Sequence, residues 1–184
     1  MRTFLRDILG ALILAVVIFF LLQTTIQTSV VVGISMEPSF QERQRLVVNK
    51  IVYNFYEPKR GDVIVFHSPK SQRADYIKRI IALPGDTIEV KGGAVYVNGL
   101  PLDEPYIKEP PSYTFNRRKI SEGEYFVLGD NRNNSSDSHN NWIVSRQDII
   151  GKVWFKIWPA GEWGLVPNYP LEEQLGGEID WREG

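Results

Sequence analysis

The chain contains no cysteine among its 184 residues. Disulfide frameworks, thiolate metal sites and cysteine nucleophiles are therefore excluded. Histidine is almost as scarce, since His67 and His139 are the only two. With so few imidazoles a histidine-rich metal centre is not expected. If a serine is the nucleophile, the base that activates it is either one of these imidazoles or a lysine held neutral.

An excess of charge of one sign is also lacking. The chain carries 21 basic and 22 acidic residues, for a net charge of -1. Without a strong basic field nothing attracts a polyanion, so we expect no nucleic-acid partner. The length is typical of one domain, because roughly 150 residues remain beyond the long apolar run near the start, enough for one well-buried core.

That apolar run covers residues 8–22 without a polar or charged side chain, and polar residues extend it to Ile26. Its length matches the span of about 20 residues that a helix needs to cross a bilayer. Arg2 and Arg6 precede it, whereas the first basic residue after it is Arg43. This asymmetry predicts a cytoplasmic N-terminus and a translocated C-terminal domain.

A cleaved secretory signal is the alternative interpretation of the same run, because such signals also begin with basic residues. Residues 23–29 nevertheless lack a small-x-small cleavage site. We therefore favour a retained anchor at residues 8–26, after a cytoplasmic segment at 1–7 and before a β-rich domain at 27–166.

Beyond the anchor, helical periodicity is scarce and short segments rich in β-branched residues predominate. Gly92-Gly93 and Asn98-Gly99 separate three of these segments, a pattern typical of hairpin turns in an antiparallel meander. We expect a mainly β fold, barrel-like or sandwich-like, because closure hides the edges of a sheet. The predicted strands are residues 45–48, 62–66, 76–83, 87–90, 94–97, 100–102, 124–128 and 153–158.

Two segments are expected to be peripheral. Residues 104–119 contain three prolines and end in a basic cluster, which favours an extended excursion over a core strand. Residues 167–184 form an acidic C-terminal tail in which a glycine pair interrupts any helix. We expect this tail to take no part in the chemistry.

Lys78 is the candidate base. On a strand, Tyr76, Lys78 and Ile80 share one face, so the amine emerges between an aromatic and an aliphatic neighbour. Burial disfavours the ammonium form and lowers the pKa of a lysine toward neutrality. The alternative is a lysine on a wet face, which is common on strands. Ser35, in turn, is either a nucleophile or a turn residue ahead of the Glu37-Pro38 pair.

Four segments in a fixed order decide between these alternatives. They are Ser35-Met36-Glu37-Pro38-Ser39-Phe40 shortly after the anchor, then residues 61–66, residues 78–86, and residues 129–138 with the sequence Gly-Asp-Asn-Arg-Asn-Asn-Ser-Ser-Asp-Ser. Together with the anchor, they resemble the motifs of the type I signal peptidases, the bacterial leader peptidase family of membrane-bound serine proteases with a serine–lysine dyad.

The resemblance implies a role for each matching residue. Ser35 is expected to be the nucleophile and to supply its main-chain N–H to the oxyanion hole, and Lys78 is expected to be the general base. Ser135 is expected to orient Lys78. Arg79 is expected to form a structural pair with Asp130. No metal or organic cofactor is needed, because the serine and lysine supply both nucleophile and base.

Three positions depart from the family pattern. Gly33 stands where some members have a serine that assists the oxyanion hole, so a side-chain donor is absent there. Asn133 stands where aspartate is common, and His139 stands where arginine is common. We expect the second change to weaken the usual pairing with Asp137, because a histidine is charged only below its pKa near 6.5.

The resemblance also implies the substrate and the partners. These are signal peptides of exported pre-proteins, cleaved after a small-x-small sequence on the outer face of the membrane. The partners are then the lipid bilayer and, as a further candidate, the translocation machinery. The peptide is expected to add as a strand between the segment that leads into Ser35 and the strand of Lys78. Trp142, Trp154 and Trp158 are candidates for seating the domain at the lipid headgroups, although tryptophans in β domains are more often core residues.

Two other functions are compatible with part of the sequence. One is a Ser-His-Asp hydrolase in which Ser35 uses His139 or His67 and Lys78 is a bystander. The other is an anchored β domain that binds extended peptides without cleaving them. The combination of Ser35, Lys78 and Ser135 in the family's order favours the serine–lysine peptidase over both.

Overall fold

The computed structural model describes residues 2–70, 74–169 and 171–176. It begins with a 24-residue helix, α1 (Arg2–Thr25). Within the described residues this is the one helix long and apolar enough to cross a membrane, and its stretch Arg6–Thr25 has a mean hydropathy of 2.5. None of that stretch is buried against the rest of the protein. The helix ends one residue before the predicted limit, because Ile26 already belongs to a strand.

Antiparallel strands make up most of the remaining chain. The twelve described strands are β1 (Ile26–Val30), β2 (Arg45–Asn49), β3 (Val63–His67), β4 (Asp75–Ala82), β5 (Thr87–Lys91), β6 (Ala94–Val97), β7 (Leu100–Pro101), β8 (Phe115–Lys119), β9 (Glu124–Leu128), β10 (Val144–Ser145), β11 (Ile149–Trp158) and β12 (Gly164–Leu165). Two short α-helices, α2 (Val52–Phe55) and α3 (Leu171–Gln174), and four 3₁₀ turns at Arg132–Asn134, Ser138–Asn140, Arg146–Asp148 and Ala160–Glu162 accompany them in the described residues. The prediction of a mainly antiparallel β fold after one apolar helix is confirmed.

The strands form two sheets. The larger has the order β1-β2-β11-β3-β4-β9-β10, with β12 paired to β11, and the smaller has the order β7-β6-β5-β8. A hydrophobic cluster joins them, since Ile81 and Phe126 of the larger sheet pack in one core with Ile88 and Val97 of the smaller. The two sheets are thus held as one domain by shared apolar burial.

Strand β4 has an edge that is only partly paired. On one side its residues 75–79 pair with β3, from Val63 opposite Arg79 to His67 opposite Asp75. On the other side, β9 begins to pair only at Arg79, opposite Leu128. The backbone of residues 75–78 therefore presents an open edge beside Lys78, which matters for the site described below.

The expectation for residues 104–119 is wrong in part. Their last five residues form β8, which pairs with β5 through Val90 opposite Phe115. Glu104 and Tyr106 are also buried rather than peripheral. The prolines that suggested an excursion all precede the strand, so they break the chain before β8 and leave its ladder intact.

The beginning of the expected acidic tail is packed against the domain. Leu171 is fully buried in the core that joins the two sheets, and Arg60 forms an ion pair with Glu172. Gly61 makes room for this segment, because a side chain there would meet the Tyr169 carbonyl. The remaining acidic residues of the tail, Glu178, Asp180 and Glu183, lie outside the described residues.

Candidate active site

Ser35 lies in a run of tight turns between β1 and β2. The turns are anchored by Met36 and Phe40, each 1% exposed, which pack in a hydrophobic cluster beneath the serine. The Phe40 N–H donates to the Met36 carbonyl over 2.9 Å, and the Val31 N–H donates to the Gln44 carbonyl over 2.9 Å. Apolar anchoring on both sides of a short polar residue holds its hydroxyl at the surface of a rigid loop.

Lys78 extends from β4 to meet this serine. Its Nζ lies 2.7 Å from Ser35 Oγ and 2.9 Å from the Ile77 carbonyl oxygen. The side chain is 4% exposed, and its Nζ lies 5.6 Å from the centre of the Tyr76 ring, as expected for neighbours on one strand face. Among the described residues, Lys78 has no carboxylate partner within ion-pair distance.

Burial lowers the pKa of Lys78 from 10.5 to about 8, and the nearby carboxylates of Asp137 and Asp130 oppose this shift. An amine with a pKa near 8 is deprotonated in a sizeable fraction of molecules near neutral pH. A neutral amine in contact with a hydroxyl is able to accept its proton, so the arrangement is suited to activating Ser35.

Ser135 lies beside this pair. A Cβ atom added to Gly129 would lie 2.3 Å from Ser135 Oγ and 2.4 Å from the Ser35 carbonyl oxygen, so both serines pack against the same glycine. Ser135 Oγ is buried and has no hydrogen-bond partner among the described residues. The structure thus brings Ser135 to the site, although no hydrogen bond joins it to Lys78.

Arg79 and Asp130 form the predicted pair, and it is not a surface pair. Two hydrogen bonds join them, from Arg79 Nε to Asp130 Oδ1 over 2.9 Å and from Nη2 to Oδ2 over 2.7 Å. Both side chains are at most 1% exposed. A buried bidentate pair of this kind fixes geometry, because removing either partner leaves an uncompensated charge. It ties β4 to residues 129–138, which we call the 129–138 loop.

Gly33 has a conformational reason to be glycine. Its φ angle is +84°, a region that side chains rarely adopt, and the space beside it is open. A serine at this position would strain the backbone that leads into Ser35. Among the described residues no acceptor takes the Ser35 N–H, which leaves this donor available for an oxyanion.

His139 retains the pairing that we expected to be weakened. Its Nδ1 lies 2.6 Å from Asp137 Oδ1, and its main-chain N–H donates to the same oxygen over 3.2 Å. The ring also stacks on Tyr113 at 4.1 Å between centroids. Asn133 replaces an acid with an amide that accepts from Ser112 and donates to the Pro110 carbonyl, which ties the loop to a neighbouring segment.

Neither histidine joins Ser35 in a triad. His67 pairs with Asp75 at 2.9 Å on the surface, and the ring nitrogens of His139 are engaged by Asp137 and Asn140. Among the described residues, the hydrogen bond to Ser35 Oγ comes from Lys78 alone. The histidine-based alternative therefore lacks the contact that it requires.

A small cavity of about 190 Å³ adjoins the Ser35–Lys78 contact. Sequence reasoning did not identify its walls, because they come from segments far apart in the chain and combine ordinary apolar residues with the polar Asp75 and Ser136. The walls include Val31, Val32, Met36, Tyr76 and Ile77. Sequence reasoning also missed the burial of Glu104 and Tyr106. The available signal was that two large apolar side chains, Leu102 and Tyr106, occur in a proline-rich segment.

A serine hydroxyl within hydrogen-bond distance of a buried amine, on a β domain that follows an apolar helix, is compatible with a serine hydrolase, in which a neighbouring base activates the hydroxyl. The family model described as signal peptidase, peptidase S26, matches residues 4–158. The chain therefore belongs to the signal peptidase family, whose members are membrane-anchored serine peptidases that remove signal peptides.

Individual relatives agree with this assignment. The probable signal peptidase I-1 of Synechocystis sp. is 40% identical over 174 residues, which cover 90% of this chain and 89% of the relative. Signal peptidase I of Leptolyngbya laminosa is 46% identical and covers 73% and 71% of the two chains. Signal peptidase IB of Staphylococcus aureus is 35% identical and covers 88% and 94%.

A solved structure is also similar. The signal peptidase I of Enterococcus faecalis is 33% identical to this chain and matches with a TM-score of 0.49, covering 53% of this chain and 97% of that one.

Proposed function

We propose that this protein is a membrane-bound serine endopeptidase that removes signal peptides from exported pre-proteins after a small-x-small sequence, with Ser35 as nucleophile and Lys78 as general base. The observation that carries the proposal is the 2.7 Å contact between Lys78 Nζ and Ser35 Oγ in a site that buries the amine. Family membership supplies the reaction class, and this contact supports the assignment of the two roles.

The chemistry requires Lys78 to be neutral when substrate binds. The amine takes the proton of Ser35 Oγ as the oxygen bonds to the scissile carbonyl carbon, and the Ser35 N–H donates to the developing oxyanion. The ammonium then gives its proton to the leaving amine of the mature protein as the peptide bond breaks. Water, deprotonated by the neutral amine of Lys78, next hydrolyses the acyl-enzyme and releases the signal peptide.

Ser135 fits the role of orienting Lys78. Its buried hydroxyl, free of other described partners, packs against the same glycine as Ser35. A hydroxyl has both a donor and an acceptor, so a small movement allows it to bond the amine in either protonation state without adding charge. This role would also satisfy a buried polar atom that otherwise lacks a hydrogen bond.

Substrate is proposed to bind as an added strand. The open edge of residues 75–78 faces the segment that leads into Ser35, with Val31 and Val32 in the wall of the same cavity. Main-chain hydrogen bonds along this edge would supply affinity, and alternate side chains of the peptide would point into the cavity. The walls of the cavity, which include Val31, Met36 and Ile77, offer apolar contacts to those side chains, and the preference for small-x-small sequences is proposed from the family resemblance.

The proposed setting is a membrane with the N-terminus of α1 in the cytoplasm and the catalytic domain outside. Support comes from the apolar helix and from the basic residues Arg2 and Arg6 ahead of it. Trp154 and Trp158, about half exposed on β11, are suited to lie at the headgroups. Trp142 is not, because it packs against Phe66 and Tyr76.

The proposal is tested by cleavage of a pre-protein in detergent, with the cut mapped by mass spectrometry. Wild type, Ser35→Ala, Lys78→Ala and His139→Ala are compared. We expect Ser35→Ala and Lys78→Ala to lose activity, and His139→Ala to keep most of it, with the cut after a small-x-small site. Full activity in Lys78→Ala would remove lysine as the base, and binding without any cleavage by the wild type would indicate a binding module.

A further inference from the structure

Two buried ion pairs hold the first turn of the 129–138 loop. One is the pair of Arg79 and Asp130 described above. The other joins Arg132 to Glu104 through two hydrogen bonds of 2.6 Å each. The Arg132 and Glu104 side chains are 0% and 4% exposed. The loop is thus fastened twice, once to the strand of the base and once to the segment before β8.

Tyr106 connects the two pairs. Its hydroxyl donates to Glu104 Oε1 over 2.7 Å, and its ring centre lies 4.1 Å from the Arg79 guanidinium carbon. The residue is 2% exposed, and the ring of Tyr169 covers it at 4.8 Å. One buried side chain therefore contacts a member of each ion pair, by a charge-assisted hydrogen bond on one side and a cation–π contact on the other.

The connection continues to the two reacting groups. Arg132 Nε donates to the Gly129 carbonyl over 3.1 Å, and Gly129 packs against both Ser35 and Ser135. The Asn131 N–H donates to the Ser35 carbonyl over 3.1 Å. On the other side, Arg79 is the next residue after Lys78 on β4. The contacts form a closed ring that leaves Lys78 through Arg79 and Tyr106, and returns to it through the loop and Ser35.

We propose that Tyr106 and Glu104 are positioning residues for Ser35 and Lys78, because they hold the 129–138 loop against these two residues and keep water from the Lys78 amine. The inference rests on the proposed function of that pair. It differs from a stabilising role alone, because it concerns the environment of the base in the folded enzyme.

The expected signature follows from the cause of the lowered basicity. Burial is what lowers the pKa of Lys78. A loosened loop admits water, reduces the desolvation of the ammonium form and returns the pKa toward its ordinary value. The acid limb of kcat/KM then moves to higher pH. A variant that is only less stable has less active enzyme at every pH, and its limb stays in place.

Tyr106→Phe is the principal variant, since it keeps the ring over Arg79 and removes only the hydroxyl. Tyr113→Phe is the matched control, because the Tyr113 hydroxyl is also buried but has no partner among the described residues. For Tyr106→Phe we expect the limb to rise by about half a pH unit or more, and kcat/KM at pH 7 to fall about threefold to tenfold with kcat affected more than KM. Activity should recover near pH 10, and Tyr113→Phe should match wild type.

Glu104→Gln is a second variant that acts on the same connection. It should shift the limb in the same direction, at temperatures where thermal unfolding confirms a folded protein. A limb that stays at the wild-type position in both folded variants would overturn the inference. The Lys78→Ala variant is measured alongside. If Lys78→Ala is inactive, an unshifted limb in the Tyr106 and Glu104 variants counts against the inference alone. If Lys78→Ala is active, the proposed function itself is wrong.

Discussion

At the scale of single residues, the burial of the Lys78 amine is the observation that bears most directly on the proposed reaction. A strand lysine normally keeps its charge in water, and this one is 4% exposed with a hydroxyl and a carbonyl as its contacts. The fold therefore loses stability as the pH falls from 10.5 through about 8, because the unfolded chain takes up the proton of this lysine more readily than the buried amine does. Functional sites are where such costs are expected.

The pH dependence of the reaction follows from this group. In the proposed mechanism Lys78 must be neutral, and burial lowers its pKa to about 8, so kcat/KM should rise tenfold per pH unit below about pH 8 and level off above it. Initial rates on a signal-peptide substrate between pH 6 and 10 measure this limb. The exposed His67→Gln variant is the control and should leave the limb unchanged. A limb near pH 6.5 would indicate an imidazole base instead.

Gly129 is packed so closely against Ser35 and Ser135 that no side chain fits there. A methyl group there would lie 2.3 Å from Ser135 Oγ and 2.4 Å from the Ser35 carbonyl oxygen, so the loop or the serine must move. Relieving contacts this short requires a shift of about 1 Å, and such a shift at a nucleophile costs on the order of 100-fold in rate. We expect Gly129→Ala to lower kcat/KM by about that factor or more while the protein stays folded by circular dichroism.

Gly161→Ala is the control for that substitution, because nothing lies within 4 Å of an added methyl group and its backbone is ordinary. It should retain wild-type kcat/KM. Near-normal activity in Gly129→Ala would mean that the contact between the loop and Ser35 is not needed for catalysis.

At the scale of elements, the strands with strong β-branched patterns were predictable and the others were not. The segments that became β2 through β7, β9 and most of β11 have alternating or continuous apolar residues between turn residues. In contrast, β1 is Ile-Gln-Thr-Ser-Val and lies at a sheet edge with one neighbour, so little apolar burial marks it. Strand β8 has one buried residue, Phe115, followed by four exposed ones.

The candidate site shows a similar division. Ser35, Lys78, Ser135, Arg79 and Asp130 came from ordered motifs, and the fold brings all of them together. The walls of the cavity and the pair of Glu104 with Arg132 depend on contacts between distant segments, and no local pattern encodes such contacts. The His139 pairing was misjudged because its charge was considered and its geometry, two residues after Asp137, was not.

The segment around α3 is the element whose importance the sequence most understated. Leu171 is fully buried, so Leu171→Ala should cost about 2–5 kcal/mol through lost burial and the cavity left behind. We expect the melting temperature to fall on the order of 10 °C in thermal unfolding. Leu165→Ala, at a leucine that is 64% exposed, is the control and should change the stability by at most about 0.5 kcal/mol. An unchanged melting temperature in Leu171→Ala would mean that this segment is a peripheral tail that does not stabilise the domain.

At the scale of the whole molecule, the absence of cysteine makes the proposed topology directly testable. Phe4→Cys and Asn116→Cys each introduce a single thiol, and both native side chains are exposed, one ahead of the apolar run and one on β8. In intact cells of the expression host, a membrane-impermeant maleimide should label Asn116→Cys at once and Phe4→Cys only after permeabilisation. Labelling of Phe4→Cys in intact cells would contradict a cytoplasmic N-terminus.

The junction between anchor and domain places a further constraint on the whole molecule. Strand β1 begins at the residue after α1 ends, and the Lys50 N–H donates to the Thr25 carbonyl over 2.9 Å. Ser35 is separated from the helix by a stretch that spans at most about 35 Å when fully extended. In the proposed membrane setting, Ser35 would therefore lie within a short distance of the bilayer surface, the level at which the cleavage site of a membrane-inserted signal peptide would emerge.

A linker should therefore separate two activities that the native chain combines. Ten Gly-Ser residues inserted between Thr25 and Ile26 free the domain from the anchor, while the catalytic contact of Ser35 with Lys78 lies elsewhere and is untouched. In proteoliposomes we expect cleavage of a membrane-inserted pre-protein to fall at least about tenfold, because the effective concentration of site and substrate drops when the geometry is no longer fixed. Cleavage of a soluble peptide by the same preparation should stay within about twofold of wild type. If the insertion variant matches wild type on both substrates, the junction serves assembly or stability and not the presentation of Ser35 at the membrane.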